Sequence, residues 1–209
     1  GFALGIATLK SGEIAAGLAK DRPAVVLALT GSNGKTSVKT MLHSILDVAG
    51  KAYVNPGNRN NEIGLPLAVI DAPEDAEFAV YEMGAGKLGD IAYLTSIVTP
   101  NVALVNNIAP AHIERMGSLL GIAETKGAIY EALPDDGIAV VNVDDAFATY
   151  FLERIARRGG LVENTVAEKA LELARMHATT HDAGDGGTYN VRAHVGYYLI
   201  DEGKRALED

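Results

Sequence analysis

Residues 30–37, which read Thr-Gly-Ser-Asn-Gly-Lys-Thr-Ser, have the residue types and the spacing that bind phosphate groups. Gly31 and Gly34 allow the backbone to approach an anion closely, and the start of a following helix presents free N–H groups to it. Lys35 can reach the terminal phosphates of a nucleotide, and the hydroxyl group of Thr36 can bind Mg²⁺. We therefore expect a phosphate-binding loop made of Gly31, Ser32, Asn33, Gly34, Lys35, Thr36 and Ser37.

The residues around this motif support the same interpretation. Residues 24–29 form a short apolar segment rich in β-formers, and apolar residues recur at helical spacing over residues 38–49. The motif is the shorter Gly-x-x-Gly-Lys-Thr, because the usual spacing would place a glycine where this chain has Leu29. So short a motif also occurs in ordinary glycine-rich turns, but the flanking strand and helix favour phosphate binding.

Two more polar residues follow predicted strands, and a lysine lies on a nearby helix. Glu82 follows the apolar residues 78–81, and His112 comes shortly after residues 102–105. Lys126 belongs to a predicted helix at 119–133. Ligands of open α/β sheets bind at the carboxyl ends of the strands, so these groups could converge with the phosphate loop on one nucleotide–metal site. The alternatives are a capping or solvated glutamate and a surface histidine.

Residues 55–62 are almost purely polar and rich in asparagine. By itself this composition favours an ordinary surface loop, since asparagine, glycine and proline all form turns readily. Contact with a substrate is the alternative interpretation of this asparagine-rich loop.

Strands and helices alternate at intervals of roughly 20–35 residues between residues 24 and 158. This alternation predicts an α/β fold, with a doubly wound, mostly parallel sheet covered by helices on both faces. Strands are expected at 24–30, 52–54, 78–81, 102–105 and 138–141. Helices are expected at 35–49, 63–70, 90–98 and 119–133, and from Asp144 or Asp145 to about 157.

The composition excludes several classes of function. The 209 residues carry a net charge of −9, which argues against a nucleic-acid surface but not against a local nucleotide site. The chain contains no cysteine, which is compatible with the cytosol. No apolar run reaches the length of a membrane span. We expect a soluble, cytoplasmic protein that is not inserted in a membrane.

We divide the chain into three parts. Residues 1–23 are expected to be a linker or the remnant of a preceding domain, and residues 24–160 the phosphate-binding domain. Residues 161–209 have a different character, of unclear origin, and are expected to be mostly helical, with 191–202 either a helix or a strand. His177 and His181 have the spacing of a helical metal pair, but the glycines that follow disfavour a helix and hence a metal site there.

Taken in order, the motifs resemble the central ATPase domain of the Mur ligases. The resemblance covers residues 24–158, and its specificity comes from several motifs in the right order, each at a strand end. Residues 161–209 do not match it. The segments that carry the resemblance are TGSNGKTS (30–37), PGNRNNEIGLPL (56–67), YEMGAGKLGDIAYL (81–94), NVALVNNIAPAHIERMGS (101–118) and ETKGAIYEALP (124–134).

The resemblance implies an ATP-dependent amide-bond ligase of cytoplasmic peptidoglycan-precursor synthesis. Residues 56–67 are similar to the family members that add D-alanyl-D-alanine to a UDP-N-acetylmuramoyl tripeptide. In that reaction ATP phosphorylates the tripeptide carboxylate, and the amine of D-alanyl-D-alanine attacks the acyl phosphate. The implied cofactors are ATP and Mg²⁺, the implied partners are these two substrates, and a monomer is expected.

The resemblance also assigns roles to individual residues. Lys35 would neutralise charge on the β- and γ-phosphates, and Thr36 and Glu82 would hold one Mg²⁺. His112 would help to hold a second Mg²⁺, and the lysine matching Lys126 can be carbamylated, which would add an oxygen ligand. The residues that would contact the substrate or order the loop around it are Asn58, Asn60 and Asn61.

Two alternatives stand beside the ligase interpretation. Family members also have an N-terminal domain for the UDP-sugar and a C-terminal domain that closes over ATP, and neither is matched here. The chain could therefore be an isolated nucleotide-binding module or an inactive fusion fragment. It could also belong to a ligase like the folylpolyglutamate synthetases, which share this style of phosphate loop.

Overall fold

A central sheet organises the parts of the chain that the computed structural model describes, namely residues 2–22, 24–111, 113–157 and 197–201. Five of the strands within these ranges run parallel, and the edge strand 197–201 pairs antiparallel with its neighbour. The strands are β1 (Val25–Thr30), β2 (Ala52–Val54), β3 (Phe78–Glu82), β4 (Val102–Val105), β5 (Ile138–Asn142) and β6 (Tyr197–Asp201). Their order in the sheet is β2-β3-β1-β4-β5-β6.

One helix, α1 (Phe2–Asp21), precedes the first strand. The helices in the connections between the strands are α2 (Lys35–Ala49), α3 (Gly64–Asp71), α4 (Asp90–Ile97), α5 (Ile113–Met116), α6 (Leu119–Glu131) and α7 (Ala148–Ala156). Ser118 caps α6, because its Oγ accepts a hydrogen bond from the Gly121 N–H at 3.0 Å. None of the described helices is both long and apolar enough to cross a bilayer.

The direction of each crossover explains which face of the sheet each helix covers. The connection from β1 to β2 runs towards one edge of the sheet, whereas the next three parallel connections run towards the other. Since such crossovers are right-handed, α2 must lie on the opposite face from α3, α4 and α6. The two core clusters agree, because Leu29, Val80 and Leu104 pack with residues of α2, and the larger cluster packs with the other helices.

The register of the parallel strands aligns their carboxyl ends. Leu29 of β1 pairs with Glu82 of β3, and Thr30 pairs with Val105 of β4. The loop after β1 therefore begins beside the end of β3 on one side and the end of β4 on the other. This alignment brings together segments that are far apart in the sequence.

The structure confirms the predicted fold class and corrects the predicted start of the last helix. The side chain of Asp145 does not start a helix but accepts hydrogen bonds from the N–H groups of Phe147 and Ile108, both at 2.8 Å, and α7 begins at Ala148. Residues 2–21, which belong to the segment expected to be a linker or the remnant of a preceding domain, form a helix. Of the C-terminal segment expected to be mostly helical, only 197–201 is described, and it is a strand. The predicted boundaries at 23 and 160 stay predictions.

Candidate functional site

The loop between β1 and α2 has the backbone geometry of a tight phosphate cradle. Gly31 has φ 152° and Gly34 has φ 73°, and these positive values are strained for any residue with a side chain. A Cβ atom at Gly31 would lie 3.0 Å from the Cβ of Asn106 and 3.2 Å from the Asn107 nitrogen. Both glycines are therefore required by the way the loop turns into α2 against the segment after β4.

Two asparagines after β4 hold this loop in place. The N–H of Ser32 donates to the Asn107 carbonyl at 2.9 Å, and the N–H of Asn33 donates to Oδ1 of Asn107 at 2.9 Å. Nδ2 of Asn106 donates to the Asn33 carbonyl at 2.9 Å. These contacts use two loop N–H groups internally. The N–H groups at the start of α2, which have no acceptor within the helix, are the donors that an anion can reach.

Two lysines meet at the Gly31 carbonyl. Nζ of Lys35 donates to it at 2.9 Å and Nζ of Lys126 donates to it at 3.0 Å. Lys126 is 3% exposed. Burial lowers the pKa of Lys126 to about 8, and the charge of Lys35 acts in the same direction. The pair places two amino groups beside the cradle, one of which is more easily deprotonated than an ordinary lysine.

The Glu82 carboxylate is the centre of a buried polar cluster beside α2. Thr36 Oγ1 donates to Glu82 Oε2 at 3.0 Å, and Asn60 Nδ2 donates to Glu82 Oε1 at 2.7 Å. Lys39 Nζ lies 3.2 Å from Glu82 Oε2. Glu82 is 3% exposed. The alternative interpretation of Glu82 as a capping or solvated glutamate is thus wrong, because its carboxylate is buried and both of its oxygens have partners.

Asn55 ties the asparagine-rich loop to the end of β3. Its Oδ1 accepts from the Glu82 N–H at 2.9 Å, and its Nδ2 donates to the carbonyls of Glu82 at 3.0 Å and Arg59 at 2.8 Å. Asn55 is fully buried. The Asn55 side chain thus pairs its own polar groups and those of the Glu82 backbone at the end of β3, and this fixes the position where the loop starts.

The three asparagines predicted to contact substrate have different surroundings. Asn60 reaches Glu82, as described above, and so belongs to the cluster. Asn61 Oδ1 accepts from the Gly64 N–H at 2.8 Å and holds the start of α3. Asn58 is exposed, and its carbonyl accepts from the Asn60 N–H at 2.8 Å. A contact of Asn58, Asn60 or Asn61 with substrate stays a prediction.

A cleft of about 440 Å³ opens beside the loop and the cluster. The residues that line it include Lys35, Asn60, Lys87 and Arg115. Asp90 also lines the cleft and stabilises the turn before α4, because its Oδ2 accepts from the N–H groups of Gly86 at 2.8 Å and Lys87 at 3.0 Å. The cleft therefore offers cationic side chains next to the cradle.

The described residues can hold nucleotide phosphates and Mg²⁺. A hydroxyl and a carboxylate are the hard oxygen ligands that Mg²⁺ prefers, and Thr36 and Glu82 supply them within 3.0 Å of each other. The described residues contain no group of three or more His, Cys, Asp or Glu side chains placed to hold a metal. A site with one carboxylate still fits, because Mg²⁺ usually completes its coordination with substrate phosphates and water. His112, predicted as a further ligand, lies outside the described residues.

Several contributors to the site were missed in the sequence. Asn106 and Asn107 follow a strand, as His112 does. The same position after a strand could therefore have identified them as candidates. Lys39 gave no signal, because a lysine four residues after Lys35 on a helix looks like an ordinary surface residue. Arg115 lies on α5, which is too short to be predicted from the sequence.

Comparison with known proteins shows which family has a similar sequence. A family model described as the Mur ligase middle domain matches residues 29–194. The match extends past the predicted boundary at 160 into residues 161–209, whose sequence motifs do not resemble the family. The UDP-N-acetylmuramoyl-tripeptide–D-alanyl-D-alanine ligase of Escherichia coli is 47% identical over 137 residues, covering 66% of this chain and 30% of that protein.

Solved structures show the same fold. MurF from Acinetobacter baumannii superposes with a TM-score of 0.69 at 35% identity, covering 72% of this chain and 33% of that one. The MurF ligase from Thermotoga maritima in complex with ADP gives a TM-score of 0.64 at 33% identity, covering 72% and 34%. The chain thus spans about a third of the length of these relatives. With the family model matching most of its residues, the chain belongs to the Mur ligase middle-domain family.

Proposed function

We propose that this chain is the ATP-binding part of a cytoplasmic, monomeric amide-bond ligase of peptidoglycan-precursor synthesis. Its substrates would be a UDP-N-acetylmuramoyl tripeptide and D-alanyl-D-alanine. The observation that carries the proposal is the contact of Thr36 with Glu82 at 3.0 Å beside Lys35 at the start of α2. The similarity to the Escherichia coli ligase supports the choice of substrates.

The reaction requires charge neutralisation more than covalent help from the protein. An oxygen of the tripeptide carboxylate forms a bond to the γ-phosphorus of ATP, and the bond to ADP breaks. The amine of D-alanyl-D-alanine then forms the amide bond, losing a proton to solvent while phosphate leaves. The N–H groups at the start of α2 would bind the phosphates, and the Lys35 ammonium would turn from the Gly31 carbonyl towards them.

Thr36 and Glu82 would hold Mg²⁺, which when bound neutralises phosphate charge. The Thr36 hydroxyl now donates to Glu82, so it would have to turn its hydrogen away to offer a lone pair. Asn60 and Lys39 would keep the carboxylate in place during that change. His112 is proposed to help bind a second Mg²⁺.

Lys126 is proposed to act as a carbamate. Its neutral amine would form a bond to the carbon of CO₂ and release a proton to solvent, which gives a carboxylate-like oxygen ligand for a hard cation. A pKa lowered to about 8 supports this step, because more of the amine is neutral near pH 7. Labelled bicarbonate should produce a carbamate signal by NMR in the wild type and none in Lys126→Arg.

A titration with Mg-ATP tests the site in this chain. We expect binding that depends on Mg²⁺ and weakens by about tenfold or more in Lys35→Ala and in Glu82→Ala, since each change removes a charged contact. Lys51→Ala is the matched control, because Lys51 pairs with Asp75 on the exposed surface away from the cleft. A folded wild type that binds no nucleotide would refute the proposed site.

A chimera tests the substrates. The matching segment of the Escherichia coli ligase would be replaced by residues of this chain, and phosphate release measured with each substrate set. We expect release only when the UDP-muramoyl tripeptide and D-alanyl-D-alanine are both present, and none in a chimera with Lys35→Ala. Equal release with a folate and glutamate would favour the folylpolyglutamate synthetase alternative. The chain by itself, at about a third of the length of its relatives, is expected to bind nucleotide without turnover.

A further inference from the structure

We propose that Lys39 is a positioning residue that couples the asparagine-rich loop to the Glu82 carboxylate. The coupling deepens the proposed function, on which it rests for the role of Glu82 in metal binding. Lys39 is only 4% exposed, one turn after Thr36 on α2. Its ammonium group has three donors, and three acceptors surround it: Glu82 Oε2 at 3.2 Å, the Asn55 carbonyl at 2.9 Å and the Gly57 carbonyl at 3.0 Å.

The burial of this charge is not explained by stability alone. Taking an ion pair out of water costs much of what the attraction returns, and well-packed apolar residues often serve a core as well or better. What an apolar side chain cannot do is bind a carboxylate and two loop carbonyls at once. Lys39 joins three segments: helix α2, the end of β3 and the loop after β2.

The same loop also holds the other oxygen of Glu82. Asn60 Nδ2 donates to Oε1 at 2.7 Å, whereas Lys39 and Thr36 contact Oε2. When Thr36 turns towards a cation, Lys39 and Asn60 still hold both ends of the carboxylate. Because Asn60 and the two carbonyls bound by Lys39 belong to one loop, a displacement of this loop must move Glu82. A substrate that contacts the loop would thereby change the geometry of the metal ligand.

A single-cysteine variant isolates the contribution of the ammonium group. The chain has no cysteine of its own, so Lys39→Cys creates one thiol. In the unfolded chain its thiolate can displace bromide from 2-bromoethylamine, and the new side chain carries an ammonium group at the length of lysine. The refolded protein before and after this alkylation differs only by the aminoethyl arm that carries the ammonium group.

Amide hydrogen exchange without nucleotide measures the state of the loop. The reporters are the N–H groups of Arg59, Asn60 and Gly84, which donate to Pro56, Asn58 and Asn60 carbonyls at 3.2, 2.8 and 2.7 Å. We expect their exchange to be about tenfold faster in unalkylated Lys39→Cys and to return to the wild-type rate after alkylation. The Ile122 N–H in α6 should not change, and equal acceleration there would show a merely structural role. Wild-type rates at all three reporters in the unalkylated variant would overturn the proposal.

ATP binding with and without Mg²⁺ then tests the link to Glu82. We expect the unalkylated variant to lose most of the effect of Mg²⁺ on ATP affinity, to keep its affinity without Mg²⁺, and to recover after alkylation. Lys51→Cys, treated in the same way, is the control. Faster amide exchange in the loop, together with an effect of Mg²⁺ on ATP affinity as large as in the wild type, would overturn the coupling. If the wild type binds no ATP, the proposed function fails, and the exchange experiment still decides whether Lys39 holds the loop.

A second variant covers the case in which Lys39→Cys does not fold. Lys39→Met combined with Glu82→Leu removes both charges together, so no unpaired charge is left in the core. Faster exchange at the three reporters with an unchanged Ile122 supports the coupling. Full protection of the loop in this variant overturns it.

Discussion

The phosphate loop is held from two sides that use different chemistry. On the β3 side, Lys39 faces the Glu82 carboxylate at 3.2 Å, and both groups are buried. On the β4 side, asparagine side chains hold the loop and Lys126 donates to the Gly31 carbonyl. Among the described residues, no carboxylate lies within ion-pair distance of Lys126.

The comparison shows that burial has different consequences for a paired and an unpaired lysine. The charge of Lys39 is balanced by a carboxylate, so this side of the site has a fixed ionic geometry. The pKa of Lys126 falls to about 8 because of burial and the neighbouring charge of Lys35. The β3 side thus suits a permanent ligand, whereas the β4 side suits chemistry that needs a neutral amine.

The largest effect is expected from breaking the pair on the β3 side. Glu82→Ala leaves Lys39 buried without its carboxylate and should lower the free energy of unfolding by about 3 kcal/mol. Denaturant unfolding measures the loss. Adding Lys39→Met to the same chain should restore most of it, because the unpaired charge disappears. A loss below about 1 kcal/mol in Glu82→Ala would mean that the pair is solvated, contrary to its burial.

Replacing the lysine on the β4 side is expected to raise the free energy of unfolding, the opposite of the effect of Glu82→Ala. A pKa lowered from 10.5 to about 8 corresponds to a penalty of about 3 kcal/mol for keeping Lys126 charged. Lys126→Met removes this penalty but also the hydrogen bond to Gly31, worth about 1 kcal/mol. We expect a net gain of about 2 kcal/mol at pH 7, measured by denaturant unfolding in buffer free of carbon dioxide.

The pH dependence sharpens this prediction. Since the pKa of Lys126 is lower in the folded chain, the unfolded chain binds more protons between about pH 8 and 10.5. The penalty is complete below about pH 8 and disappears as the pH rises towards 10.5. The advantage of Lys126→Met should therefore shrink across this window. An advantage that is constant with pH would show that packing, and not charge, is responsible.

A smaller effect is expected from the amide contacts. Asn107→Ala removes the hydrogen bond from the Asn33 N–H at 2.9 Å and the one to the Asn33 carbonyl at 3.2 Å. Both groups of Asn33 can turn to water, so we expect a loss of about 1 kcal/mol in the free energy of unfolding. The change should also weaken ATP binding, because the loop is no longer held. Unchanged affinity would show that the loop keeps its shape without Asn107.

The smallest effect is expected at an exposed pair far from both sides. Lys51 Nζ lies 2.5 Å from Asp75 Oδ1, with both side chains at least half exposed. Water and salt screen such pairs, so Lys51→Met should change the thermal midpoint little at physiological salt. A marked change would mean that exposed charges matter as much as the buried pair does.

Much of this architecture could be predicted from the sequence, because it depends on local patterns. Alternating apolar segments and turns predicted β1 to β5 and the helices between them except α5, and the motif at 30–37 located the cradle. What escaped prediction depends on partners distant in sequence. Lys39 looks exposed until β3 brings Glu82 beside it, and one oxygen of Asp145 accepts from the distant Ile108 N–H while the other accepts from the Phe147 N–H before α7.

The pairing of Leu29 with Glu82 has a consequence for how such a sequence can evolve. Successive residues of a strand face opposite sides of the sheet, so one residue inserted within Phe78–Glu82 would turn the carboxylate away from Thr36. The strand could still pair and the core could still form. Length changes in the 72–77 turn keep this alternation intact. Insertions and deletions should therefore accumulate in that turn in related sequences, while the five residues of β3 keep a constant length.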